Sequence, residues 1–117
     1  MTTLYIAGPM TGLPDFNYPA FYAAEDQLQS VGYRTLNPAR SAARHDAPRF
    51  ALPTAGSEWS DYMRNGINQL IRADGIALLP GWEDSRGARV ELCLAYDLAM
   101  QVRDLTEWLA NAKVAAS

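Results

Sequence analysis

Five residues, Gly75-Ile76-Ala77-Leu78-Leu79, run without a polar side chain and without alternation until Pro80-Gly81 stops them. A strand that is wet on one face alternates apolar and polar residues. One that is apolar throughout belongs in a sheet covered on both faces, the habit of parallel sheets. Parallel neighbours cannot be joined by a hairpin; they need crossover connections, usually helices. The flanking sequence supplies them. Before the run, Trp59, Met63, Ile67, Leu70 and Ile71 recur at helical spacing, with Ser57 or Ser60 as the N-cap. After it, a helix running to about Met100 is expected, with Ala88, Val90, Leu94, Ala95, Leu98 and Ala99 inward.

The rest of the chain continues the alternation. Thr3 to Ala7 reads as a buried strand closed by Gly8-Pro9, followed by a polar loop from Thr11 to Tyr18. Pro19 suits a first helical turn, and Phe21, Ala24, Leu28 and Val31 recur until Gly32 ends the helix. Tyr33 to Leu36 reads as a second strand stopped by Asn37-Pro38. Residues 40–56, with His45 and Asp46, are too irregular for an assigned element; either a binding loop or a variable insertion fits. A very short strand around Val102 precedes Asp104-x-x-Glu107, a capping signature opening a last helix with Leu105, Trp108 and Leu109. That helix either covers the sheet or supplies an interface. The expected architecture is α/β: a doubly wound, Rossmann-like parallel sheet of about four to five strands between helical layers.

Length and charge narrow the function. The 117 residues, 49% hydrophobic and 20% charged, are expected to form one domain over 1–117. A net charge of -3 provides no basic footprint, so duplex nucleic acid is not an expected partner, although a single nucleotide is compatible. The lone Cys93 is read as a small core thiol and fits a reducing compartment. The start lacks a charged region followed by a long apolar run, so neither a signal peptide nor a membrane span is expected, and the location is taken as cytoplasmic.

Ligands of open parallel sheets bind beyond the carboxyl ends of strands, which directs attention to Ala7-Gly8-Pro9-Met10 and to Pro80 through Glu91. Glu91 shares the helical stripe of Ala95 and Leu98, where an apolar residue belongs. Placed in the first turn, it would be kept ionised by the helix N-terminus and serve as a nucleophile. An ordinary helix-start glutamate paired to Arg86 or Arg89 is the competing reading. Ser85 and the amides of Gly87 and Ala88 would form an anion site at the same helix end, with Arg86 and Arg89 adding charge. No P-loop or GxGxxG is present, and one His with one Cys offers no dense ligand set, so no metal is expected. A serine nucleophile would have only His45 as base.

Tyr5-Ile6-Ala7-Gly8-Pro9-Met10-Thr11-Gly12, Pro80-Gly81-Trp82 and Ser85-Arg86-Gly87-Ala88-Arg89-Val90-Glu91 together resemble the nucleoside 2-deoxyribosyltransferase-like superfamily. More narrowly they resemble its small DUF4406-type branch, common in phages and prophages. The resemblance runs from Leu4 to about Trp108. It implies that Glu91 is the nucleophile that attacks the anomeric carbon, that Tyr5 contacts this carboxylate, and that Ser85 with Gly87 holds a 5′-phosphate. Gly8 to Met10 would line the ribose and base side. Trp82 either stacks on a base or caps the core. Relatives carry an acid about eight positions before the Ala-Asp that opens the central strand; here Asn65 and Gly66 stand there, and Asn65 cannot deliver a proton. Asp61 lies one turn away. Asp74 precedes its strand, at the edge opposite the site, and is read as structural.

The expectation is therefore an N-glycosidase or 2-deoxyribosyltransferase acting on a deoxynucleoside or its 5′-monophosphate, with no cofactor and with a homodimer or larger assembly implied by the resemblance. The alternative is a nucleotide-binding protein of the same fold without turnover.

Overall fold

The computed structural model describes residues 2–10, 12–40 and 57–116. Thr11, residues 41–56 and the side chains of residues 57–62 and 113–116 lie outside the described residues. With them go the readings of the 40–56 loop, His45, Trp59, Asp61 and the Ser57 or Ser60 cap.

Among the described residues four strands and four longer helices alternate: β1 (Thr3–Ala7), α1 (Tyr18–Ser30), β2 (Arg34–Leu36), α2 (Ser57–Leu70), β3 (Gly75–Leu78), α3 (Arg86–Asp97), β4 (Gln101–Asp104) and α4 (Leu105–Ala116). All pairings are parallel and the order is β2-β1-β3-β4. The register sets Tyr5 beside Ile76 and Ala7 beside Leu78, and the Leu79 amide extends the ladder to the Ala7 carbonyl at 2.8 Å. The expected doubly wound α/β sheet is thus present, with four strands.

Strand alternation sorts the core into two halves. Leu4 and Ile6 of β1, with Ala77 and Leu79, pack against Phe21, Ala24 and Leu28 of α1 and Trp108 of α4. Tyr5 and Ala7, with Ile76 and Leu78, face the other way, toward Leu70 of α2 and Ala95 of α3. Every residue of β3 is buried, as its uniform apolar run requires. Trp108 holds the last helix on the sheet: the residue is 4% exposed, and its Nε1 donates to the Ile76 carbonyl at 2.8 Å. A Cβ on Gly75 would stand 2.8 Å from Trp108 Cζ2, so the glycine opening β3 makes room for the indole.

Local signals place the helix ends. Pro19 lies in the first turn of α1, and Gly32, at φ +102, follows its end. The Asp104 carboxylate accepts the Glu107 amide at 2.8 Å, half of the anticipated capping box. Asn37 closes β2 and also caps a new helical turn at residues 38–40, accepting the Ala39 amide at 2.9 Å. That turn is tied to α1 by Arg40, which is 2.5 Å from the buried Glu25 carboxylate. The loop after β1 contains a turn, Pro14–Asn17, in which Asp15, Phe16 and Asn17 all have positive φ. Asn17 there donates to the Pro9 carbonyl at 3.0 Å.

Several inward assignments are corrected. Val90 and Leu98 are 40% and 49% exposed, and Ile71 is 55% exposed. α3 ends at Asp97 and α2 at Leu70, so Leu98, Ala99 and Ile71 belong to the turns beyond them, where helical periodicity no longer holds. Val90 falls between the Ala88–Ala95 stripe and solvent. Cys93 is exposed, not a core thiol, because it sits on the outer side of the same helix. Among the described residues, no helix is long and apolar enough to cross a membrane.

Candidate active site

The chain leaves β1 toward β2 on one side and returns through β3 on the other. The strand order therefore reverses between the carboxyl ends of β1 and β3, where such sheets open a crevice. The two turns at that point are in contact. A Cβ on Gly8 would stand 2.7 Å from Leu79 Cβ, and one on Gly81, at φ +88, would stand 3.2 Å from Pro9 Cγ. Glycine at both positions lets the loops close on each other. Gly8 and Pro9 are half-buried, whereas Ala7 and Met10 are buried members of the core. Trp82 is half-buried and packs against the apolar cluster that contains Tyr5.

Ser85 is the N-cap of α3. Its backbone is extended and its Oγ accepts the Ala88 amide at 3.1 Å. This modifies the expected anion site: the Ala88 amide is already taken, and Ala88 itself is buried. The groups left for an anion are the Ser85 hydroxyl proton and the Gly87 amide, one of the first N–H groups that a helix cannot pair internally. Arg86 and Arg89 are both exposed.

Glu91 is the sixth residue of α3, in its second turn, and 6% exposed. The expectation that the helix N-terminus holds it ionised fails on distance, because that field decays within the first turn. Burial dominates instead. Removal from water pushes the carboxyl from 4.5 up to about 7, against the opposing effect of a hydrogen bond from the Tyr5 hydroxyl to Oε2. Tyr5 reaches it from the middle of β1, so two residues 86 positions apart meet under the α2–α3 layer.

A third residue completes the arrangement. A Cβ on Gly66 of α2 would lie 2.8 Å from Glu91 Oε2 and 2.8 Å from the Tyr5 hydroxyl oxygen. The helix backbone thus presses directly on the pair. Of the two positions where an acid was sought, Gly66 faces Glu91. Asn65, rotated about 100° around the helix, is half-buried on another side. Sequence reasoning noted Gly66 only as a departure. Its signal was a glycine inside a helical stripe, which costs about 1 kcal/mol against alanine and so marks a close approach. Gly87 marks a second one, since a Cβ there would be 3.1 Å from Met63 Sδ.

The arrangement can hold a carboxylate half ionised near neutrality, with Oε2 engaged by Tyr5. Asp74 plays no part in it. It sits at the amino edge, accepting the Thr3 amide at 2.8 Å and donating its own amide to the Thr3 carbonyl at 2.8 Å. Among the described residues, no cluster of three His, Cys, Asp or Glu side chains could hold a metal ion.

No curated protein matches the sequence. The sequence model of DUF4406, a domain of unknown function, matches residues 2–104, from just before β1 to the end of β4, and the chain belongs to that family.

Proposed function

We propose that the protein cleaves or transfers the N-glycosidic bond of a deoxynucleoside or its 5′-monophosphate, with Glu91 as nucleophile and Tyr5 orienting it. The observation that carries this reading is the buried carboxyl at Glu91, raised to about 7 and held through Oε2 by the Tyr5 hydroxyl. Breaking a glycosidic bond passes through an oxocarbenium-like state, which an adjacent carboxylate stabilises or captures covalently. With Oε2 bonded to Tyr5 and pressed by Gly66, Oε1 is the attacking oxygen. It bonds to the anomeric carbon as the base leaves, and water or a second base then displaces it. The resemblance to nucleoside 2-deoxyribosyltransferases, the loops meeting at the carboxyl edge and the capping Ser85 support a nucleotide lying with its phosphate at the start of α3. A second reading, a nucleotide-binding protein without turnover, is favoured by Gly66: among the described residues of α2, the one pressed on the pair has no side chain to protonate a leaving base. Phage association and a homo-oligomeric state follow from the same resemblance and belong to this proposal.

The test is chromatographic detection of free base from a panel of deoxynucleosides and their 5′-monophosphates, with Glu91→Ala run in parallel. Release by the parent alone is the expected result. Saturable binding without release, even with a second base offered as acceptor, moves the function to the binder.

A further inference from the structure

We infer that the protein forms a two-fold homodimer in which α3 packs antiparallel against α3 of a second copy, through the face of the helix that points away from Glu91. The inference deepens the homo-oligomeric state proposed above by naming its surface. It stands on the charge pattern of α3 and does not depend on Glu91 being a nucleophile.

Ala88, Glu91 and Ala95 form the buried stripe of α3. On the opposite side Arg86, Arg89, Val90, Cys93, Tyr96 and Asp97 fall within about 60° of the line through Cys93, and all six are exposed. Val90, 40% exposed, and Tyr96, 65% exposed, flank Cys93 symmetrically along the chain, and so do Arg89 and Asp97. The charges oppose the helix's own dipole. Arg86 opens α3 and Asp97 closes it, with no acid in the first turn and no base in the last, an arrangement that disfavours a helix standing alone.

A second α3 laid antiparallel turns that pattern into a complement of itself. A two-fold axis through Cys93 sets Arg89 of each copy at the height of Asp97 of the other, about 6 Å along the helix from the axis, and Val90 at the height of Tyr96. It also carries Arg86 to the carboxyl end of the facing helix, where a cation is favoured. Parallel pairing would instead oppose Arg89 to Arg89 and Asp97 to Asp97. The small Cys93 side chain lets the helices cross closely: at an interaxial distance of about 8–10 Å, two Cα atoms facing each other stand about 3.5–5.5 Å apart, within reach of a disulfide. The 12 residues of α3 make a face about 18 Å long. That buries less than the roughly 1,200 Å² of a standard interface, so the dimer is reversible and forms at micromolar concentrations.

The experiment is sedimentation equilibrium of the full-length protein from roughly 10 μM to 1 mM. It is run at low salt on the parent, on Arg89→Asp, on Asp97→Arg, and on a one-to-one mixture of the two variants. The parent dimerises. Each variant alone associates at least about tenfold more weakly, because its face then carries one sign of charge throughout. The mixture regains the parental strength, because the two faces carry opposite signs. A parent that stays monomeric at the highest concentration overturns the inference and the homo-oligomeric state with it. Association of equal strength in all four samples, or no recovery in the mixture, overturns this surface alone. A second measurement uses only the parent, whose copies diamide can join solely through Cys93. Disulfide formation slows as salt is raised from about 0.05 to 0.5 M, since salt screens the Arg89–Asp97 pairs. Chance collisions between copies of net charge -3 speed up instead, and a rate that rises or holds constant overturns the inference.

Discussion

Gly66 presents bare backbone to Glu91: where any other residue would place a Cβ, the Oε2 of the carboxylate is 2.8 Å away. Glycine inside a helix ordinarily costs about 0.5–1 kcal/mol relative to alanine. Gly66→Ala therefore carries a built-in gain, opposed by overpacking of about 1–3 kcal/mol. The clash is expected to win because both atoms it meets are buried and bonded to each other. Urea denaturation of Gly66→Ala should show a net loss of about 1 kcal/mol. A gain in stability would show that the helix is not pressed on the pair.

The titration of Glu91 makes stability depend on pH. Its folded pKa of about 7 lies above the unfolded 4.5, so its contribution is fully present below pH 4.5 and is lost as pH rises through 7. The 2.5-unit difference corresponds to about 3 kcal/mol. Unfolding free energies from denaturant titrations between pH 5 and 8.5 should fall by roughly this amount in the parent relative to Glu91→Gln. Parallel profiles for the two proteins would contradict a buried, titrating carboxyl.

Ser85 separates capping from ligand binding. Aspartate caps a helix as well as serine, so Ser85→Asp should fold with nearly the parental stability, whereas Ser85→Ala should lose about 1 kcal/mol. The added negative charge should weaken binding of a 5′-monophosphate by at least about tenfold, or 1.4 kcal/mol, and leave the matching nucleoside little changed. Calorimetry with the two ligands checks this. Equal losses would remove the phosphate from the start of α3.

Trp108 anchors the last helix through Ile76. Trp108→Phe keeps an aromatic ring but deletes the donor to the Ile76 carbonyl and part of the indole that Gly75 accommodates. A loss of about 1–3 kcal/mol in chemical denaturation is expected. A loss under about 0.5 kcal/mol would mean the contact does not hold α4 on the sheet.

The fold was readable because its main signals are local. Gly75 to Leu79 declared a doubly covered strand, Pro19 and Gly32 bracketed α1, and Asp104 with Glu107 marked the start of α4. The errors fell where periodicity runs past the helix that produced it, at Ile71, Leu98 and Ala99, at Val90 on the edge of its stripe, and at Cys93, whose small side chain fits either face. At the candidate site, Glu91 was conspicuous as a carboxylate on an apolar stripe. Its electrostatic state was misjudged, because burial by α2 and the sheet is a tertiary effect that no local pattern encodes. The same limit hid Gly66, whose meaning depends on which atoms stand opposite it.

The most direct measurement is a carbon NMR titration of glutamate side-chain carboxyls in the parent, in Tyr5→Phe and in Glu91→Gln. One resonance, missing from Glu91→Gln, should titrate near pH 7 in the parent. In Tyr5→Phe, which lacks the hydrogen bond that opposes burial, it should move still higher. A Glu91 resonance that titrates near 4.5 and ignores the loss of the Tyr5 hydroxyl would contradict the pair on which the proposed chemistry stands.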